Sequence, residues 1–303
     1  MTETWRADVT VEGSRDEGSR QGVGLSHTDK AFTAYDIQAC LYDERRVELF
    51  RRAIEETVRP GDIVVDAGSG TGLLGLLAAQ AGAAKVFCLE LNEEFIPVIT
   101  ENAARNGFGD RVFAIHADAT TDPLPEMVDV VISEVISAGF FYEPQVQILT
   151  NLRKYMKPGA RLIPLAVENR IELIHAQEKL YGLTFNYDSR FTTLPGDTAL
   201  TNPATYLDTD FREDADPDVK AEVTLRAEST APANAVRITY RIQFTPTLES
   251  SEPTDFLLNP QIIFLEKPVD LVEGKNYKLS ISYAASAAPL SSTISVERSF
   301  GTT

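Results

Sequence analysis

Two hydrophobic patterns divide the chain. From residue 30 to 58 apolar positions recur at helical spacing, with Phe32, Tyr35, Ile37, Leu41, Val47, Leu49, Phe50 and Ile54 forming one face between charged residues. Arg59-Pro60-Gly61-Asp62 stops that helix, because proline cannot extend it and glycine favours a turn. Ile63-Val64-Val65-Asp66 is then a short, continuously apolar strand, as expected where helices cover both faces of a parallel sheet. The alternation continues with a helix over 73–81, a strand over 85–91, a helix over 94–106, strands over 112–116 and 129–133, and a helix over 145–156. Lys157-Pro158-Gly159 breaks the last helix before a strand over 161–163. Strands and helices in this order predict an α/β fold, a doubly wound Rossmann-like domain over 30–164.

After Pro164 the helical period disappears. Strand-like runs cover 166–175, 221–227, 235–245, 261–266, 277–283 and 293–298, and Arg237-Ile238-Thr239-Tyr240-Arg241-Ile242-Gln243-Phe244 alternates polar and apolar residues. These runs predict an all-β second domain over 165–303, a barrel or a sandwich. Residues 181–216 are its least regular part and read as an excursion, and residues 1–29 read as a flexible segment without periodicity.

Composition narrows this picture modestly. A hydrophobic fraction of 43% with 24% charged residues supports a substantial buried core. The net charge of −17 argues against nonspecific nucleic-acid binding and favours cationic partners, or serves solubility alone. Two cysteines, Cys40 and Cys88, supply neither a metal cluster nor a disulfide framework, so no metal and a reducing cytoplasm are expected. No run approaches the roughly 20 apolar residues of a membrane helix, and the polar amino terminus does not read as a signal peptide.

The candidate chemistry sits at strand ends. Asp66-Ala67-Gly68-Ser69-Gly70-Thr71-Gly72 joins the first strand to its helix, and its glycines let backbone approach a ligand closely. Glu90 ends the next strand, where an acidic residue can accept both hydroxyls of a ribose. The loop lacks the lysine of a phosphate-gripping loop and the spacing of a dinucleotide loop, which points to a cofactor without phosphates; a loop serving only as a tight turn is the plainer alternative. Asp118 follows a third strand, as a ligand contact or as a cap. Glu134 ends a fourth, and Glu143 lies nine positions on. Two carboxylates held together cost free energy unless a positive group sits between them, and a guanidinium suits that geometry. Two glutamates on a solvated loop are the alternative.

The glycine loop followed by Glu90 resembles class I S-adenosylmethionine-dependent methyltransferases over about residues 60–164. Together with Ser133-Glu134 and Glu143, an all-β carboxyl-terminal half, Asp43-Glu44-Arg45-Arg46 and Phe264-Leu265-Glu266-Lys267-Pro268, it resembles the protein arginine methyltransferase family from about residue 30 to the end. The resemblance implies S-adenosylmethionine as cofactor, held by Arg46, Asp66, Gly68, Ser69, Gly70, Gly72, Glu90 and Asp118. It implies that Glu134 and Glu143 clamp the acceptor guanidinium as catalytic residues, with Tyr35 and Asn259 also facing the acceptor. It further implies a homodimer joined through an arm near 181–205, carrying Tyr181, Leu183, Phe185, Tyr187 and Phe191, unless these residues pack on their own domain.

The chain also departs from that pattern. Where the family carries Thr-His-Trp, whose histidine pairs with the helix aspartate, this chain has Leu257-Leu258-Asn259-Pro260-Gln261, so Asp43 is expected to lose that histidine partner. Two methionines of the acceptor pocket correspond to Cys40 and roughly Gln145. A rebuilt acceptor floor favours free L-arginine or a small guanidino metabolite, giving an Nω-methylated product. The alternatives are a protein arginine methyltransferase acting on Arg/Gly-rich segments, a cofactor-binding adaptor without activity, and transfer to an oxygen or carbon centre.

Overall fold

The computed structural model describes residues 34–185 and 188–299, an α/β half followed by an antiparallel half. In chain order the first half comprises α1 (Ala34–Ala39), α2 (Glu44–Thr57), β1 (Ile63–Ala67), α3 (Leu73–Gln80), β2 (Lys85–Glu90), α4 (Phe95–Arg105), β3 (Val112–His116), β4 (Val128–Ser133), α5 (Gln145–Leu152) and β5 (Met156–Ile163). Its five strands are parallel in the order β3-β2-β1-β4-β5, so strand order reverses between β1 and β4. Both central strands are buried, with Val64, Val65, Val130, Val131 and Ile132 fully inaccessible, as their unbroken apolar runs require.

Two expected boundaries move. The single helix expected over 30–58 is broken within its described part: a 3-10 turn over Cys40–Tyr42 leads to Asp43, which leaves helical conformation and accepts the Arg46 amide to cap α2. Hydrophobic spacing is blind to this break because the cap is a local hydrogen bond on the polar side of the pattern. The helix expected over 145–156 ends at Leu152 and passes through a 3-10 turn into β5, which already starts at Met156. Pro158 and Gly159 lie inside that strand; β5 edges the sheet and slips register opposite 128–130, and a missing amide is tolerated there.

The second half continues with β6 (Ala166–His175), β7 (Lys179–Leu180), β8 (Leu183–Thr184), β9 (Ser189–Arg190), β10 (Thr198–Ala199), β11 (Ala204–Asp210), β12 (Asp218–Arg226), β13 (Pro232–Gln243), β14 (Glu249–Ser250), β15 (Gln261–Asp270), β16 (Asn276–Ala284) and β17 (Thr293–Arg298). One antiparallel sheet follows the order β10-β6-β13-β15-β9, with β11 added beside β6 and β14 beside β13; a second is β12-β16-β17. Strand β11 is hidden in the sequence because a bulge between Thr205 and Leu207 interrupts its two-residue period.

A continuous hydrophobic cluster spans both halves. Phe50 of α2 meets Phe244 edge-on at 5.1 Å, and Phe141 of the paired-glutamate loop stacks on Tyr283 of β16 at 4.3 Å. These contacts hold the loops of the parallel sheet against the antiparallel half. In the segment expected as an arm, Tyr181, Leu183, Phe185 and Phe191 are exposed, and Tyr181 is 96% accessible. Phe32, Tyr187 and the segment 1–29 lie outside the described residues. No described helix is long and apolar enough to cross a membrane.

Candidate active site

The reversal between β1 and β4 puts two loops side by side at the carboxyl ends of the strands, the position where open parallel sheets bind ligands. One is the glycine loop. The amides of Gly68 and Ser69 both donate to Leu89 O at 3.0 Å, which folds the loop over the end of β2. Gly68 and Gly70 have φ of 77° and 54°, in the left-handed region that glycine enters without steric cost. A Cβ on Gly68 would lie 2.8 Å from Val135, so the loop packs directly against the residue beside Glu134.

Glu90 accepts the Gly70 amide at 2.7 Å and the Asn92 amide at 2.8 Å. Each of its oxygens retains acceptor capacity toward the cleft that Glu90 lines. Asp118 accepts the amide and hydroxyl of Thr120 at 2.9 and 2.6 Å; it shapes a turn and lines the same cleft. Asp66 is placed differently from what the resemblance implies. Fully buried and absent from the cleft lining, it accepts the Gly75 amide at 2.8 Å and ties the loop to α3. Burial, opposed by that amide, pushes its carboxyl up to about 7. Gly72 also lies outside the lining; it precedes α3, and a Cβ there would meet Ile99 at 3.0 Å.

The other loop carries the glutamates. Glu134, whose side chain is 10% exposed, receives Arg46 Nε at 2.8 Å and Arg46 Nη2 on its Oε2 atom. Arg46 Nη1 reaches Cys40 O at 3.4 Å. The cleft thus already contains one guanidinium–carboxylate pair, supplied by α2 and the end of β4. Burial works against the charge on Arg46, and Glu134 more than offsets it. Burial also raises Glu134 despite its partner. Glu143 lines the same cleft, and its carboxyl is engaged by no hydrogen bond among the described residues. Burial and the neighbouring Glu134 charge push it up to about 8, against the pull of Arg46.

The backbone between the two glutamates is held by the antiparallel half. Gly139 N donates to Asn169 Oδ1 at 2.7 Å, Tyr142 N to Ala287 O at 3.0 Å, and Ser286 N to Phe140 O at 2.7 Å. Phe140 and Tyr142 take φ of 57° and 63°, uncommon for bulky side chains and sustained by these contacts.

Several expected acceptor residues stand elsewhere. Tyr35 is 79% exposed and does not line the cleft. Asn259 is also outside the lining, its amide turned back to Asp255 O at 3.1 Å. Gln145 is fully buried and braces the end of β4 through Ser133 and Val135, whereas Cys40 does line the cleft. Without that histidine, Asp43 has other partners: its Oδ2 accepts the Thr254 hydroxyl at 2.5 Å and the Phe256 amide at 2.9 Å. The Phe256 ring, with Ile37 and Tyr142, completes a wall that motif reading missed. No local signal joins Thr254 to Asp43, because 211 positions separate them.

The lining fits S-adenosylmethionine. Glu90, Asp118 and Glu134 face a single cation, Arg46, among the described lining residues, an excess of negative charge suited to a sulfonium cofactor. Glu90 has acceptors left for ribose hydroxyls, and the described lining residues include no lysine for a phosphate. No group of three or more metal-ligating side chains occurs among the described residues.

A sequence profile described as a methyltransferase domain matches residues 64–159. The chain is 29% identical over 246 residues to the uncharacterized protein MJ1452 of Methanocaldococcus jannaschii, covering 80% of this chain and 89% of that one. It is 25% identical over 275 residues to the arginine N(omega)-methyltransferase of Streptomyces achromogenes subsp. streptozoticus, covering 81% and 75% of the two chains. The Trypanosoma brucei PRMT1 enzyme-prozyme heterotetrameric complex with AdoHcy shares the fold with a TM-score of 0.70 at 20% identity, over 85% of this chain and 96% of that one. Profile, relatives and architecture agree: the chain carries a methyltransferase domain and has the fold of the protein arginine methyltransferases.

Proposed function

We propose that the chain methylates a guanidino nitrogen, with free L-arginine or a small guanidino metabolite as acceptor and an Nω-methylated product. The observation that carries this reading is the pair Glu134 and Glu143 facing the cleft that the glycine loop also lines. S-adenosylmethionine, when bound, supplies an electrophilic methyl group on a sulfonium. The chain offers Gly68, Ser69 and Gly70 as a close backbone surface, Glu90 for ribose hydroxyls, Asp118 near the far end, and Arg46 for a carboxylate.

A guanidinium is a poor nucleophile because its lone pairs are delocalised and it stays protonated near neutral pH. Two carboxylates on its edges hold it and draw positive charge from one terminal nitrogen. Arg46 occupies only Oε2 of Glu134, so Oε1 remains for the acceptor. Glu143 is held largely protonated at neutral pH by burial and by Glu134, and a cation arriving beside it favours the ionised form. The nitrogen gains the methyl group, its proton passes to a carboxylate or to water, and the thioether leaves.

Two observations support a small acceptor. The loop over 251–260 closes onto Asp43 through Thr254 and puts Phe256 on the cleft, where the family pattern has histidine and tryptophan. The Streptomyces arginine N(omega)-methyltransferase also aligns across both halves of this chain. A basic polypeptide is the second reading, favoured by the net charge of −17. Mass spectrometry of methyl transfer to free arginine against an Arg/Gly-rich peptide tests the choice; methylarginine is expected, and peptide turnover without it would overturn the assignment. The exposed Tyr181 and Leu183 support association into a homodimer, to be checked by sedimentation.

A further inference from the structure

The segment 254–258 of the antiparallel half is fastened at both ends. At one end Thr254 Oγ1 and the Phe256 amide both donate to Oδ2 of Asp43, a carboxylate only 3% exposed. The other oxygen of Asp43 accepts the Arg46 amide at 3.0 Å and so caps the helix that carries Arg46. Arg46 in turn holds Glu134. At the other end the Leu258 amide donates to the buried Tyr240 hydroxyl at 2.7 Å, and that hydroxyl reaches Ile136 O at 3.4 Å in the paired-glutamate loop. Leu258 accepts a left-handed φ of 65° within this arrangement. The Thr254 hydroxyl is also engaged from its own loop, accepting the Leu257 amide at 2.9 Å.

We infer that 254–258 is a clasp setting the spacing between the Arg46–Glu134 pair and the Glu143 loop, and that Thr254 is a positioning residue acting through Asp43. The idea rests on the guanidine-methylating reading for its kinetic consequence, though not for its effect on cofactor affinity. The physical basis is that Asp43 accepts three donors, two of them from the clasp. Removing the hydroxyl leaves one of these acceptor directions unfilled in a buried setting and lets the start of α2 shift. A displacement of about 1 Å at a clamp costs up to about a hundredfold in turnover.

The test compares Thr254→Val, Thr254→Ser and Asp43→Asn, together with the double variant Asp43→Asn/Thr254→Val. Turnover of free arginine, affinity for S-adenosylhomocysteine by calorimetry, and melting temperature are measured for each. Thr254→Val is expected to lower kcat by about 10–100-fold and to weaken S-adenosylhomocysteine by about 3–10-fold, while Thr254→Ser restores most of both. The double variant should be no worse than its worse single parent, because both changes break one linkage. Wild-type kcat and affinity in Thr254→Val, equal losses in Thr254→Ser, or losses that multiply in the double variant would each overturn the clasp. If Thr254→Val does not fold, Tyr240→Phe, which keeps the ring and loses only the hydroxyl, carries the same expectation at the other end; unchanged kcat and affinity there overturn the idea. If the parent protein methylates no guanidine yet Thr254→Val weakens S-adenosylhomocysteine, the acceptor reading fails and the clasp stands.

Discussion

The two walls of the cleft are built by opposite means. The wall proposed for the cofactor comes from neighbouring loops of one parallel sheet: Gly70 and Glu90 are 20 positions apart, and the Asp66–Gly75 bond that braces the loop from behind spans only 9. The wall proposed to face the acceptor is braced from distant parts of the chain, with 88 positions between Arg46 and Glu134, 104 between Ile136 and Tyr240, and 211 between Asp43 and Thr254. Hydrogen bonds close in sequence are specified by a short motif and recur wherever that motif folds. Those of the acceptor wall depend on how two halves dock. A family can therefore keep one cofactor floor while rebuilding the opposite side for a new acceptor.

The largest expected effect breaks the acceptor wall at its centre. Glu134→Gln removes the charge that holds Arg46 and is proposed to face the acceptor, so methyl transfer to arginine should fall by about a thousandfold or more in a radiolabel assay. Turnover within tenfold of the parent would contradict the clamp. Next is the cofactor wall: Gly68→Ala forces a left-handed residue to carry a Cβ 2.8 Å from Val135. Strain of about 1–3 kcal/mol should weaken S-adenosylhomocysteine by about 5–150-fold in calorimetry, with little long-range change in circular dichroism.

Glu143 separates the walls by pH. With its carboxyl raised to about 8, affinity for a guanidinium acceptor should increase by up to about tenfold per pH unit below 8 and level off above it. Binding near neutral pH should release a proton, seen as a calorimetric enthalpy that varies with the buffer, and Glu143→Gln should abolish both dependences. The stability sign follows from the same shift. A carboxyl whose folded pKa is raised stabilises fully below its unfolded value and loses that contribution as pH rises through about 8. Glu143→Gln should therefore be more heat-resistant than the parent above pH 8, by on the order of 1 kcal/mol because the group is partly open to the cleft. The smallest effect sharpens the outline of the acceptor wall: Asn259→Ala, whose side chain faces its own loop, should change KM for arginine by less than about threefold.

The residues behave differently as objects of sequence reading. Gly68, Ser69, Gly70 and Glu90 were legible because their chemistry is a matter of strand ends and glycine backbone, and the structure puts all four on the cleft. Asp66 was legible as part of the motif but not in its role, since whether a strand-end carboxylate faces ligand or helix depends on where α3 packs. Glu134 and Glu143 stood out as an unusual pair; that one is already matched by Arg46 and the other has no hydrogen-bond partner among the described residues required three-dimensional contacts. Thr254, Phe256 and Tyr240 carried no signal at all. A threonine, a phenylalanine and a tyrosine in a β-rich half are ordinary until that half is docked.

By itself, then, the sequence determined the parallel sheet, the change to antiparallel strands after Pro164, the glycine loop and the spacing of the two glutamates. These follow from hydrophobic period and local backbone chemistry, which act over a few residues. Only the tertiary structure decided which carboxylate Arg46 neutralises and which groups partner Asp43. Each of those depends on desolvated charges finding donors far along the chain, and that pairing exists only once the two halves have closed on each other.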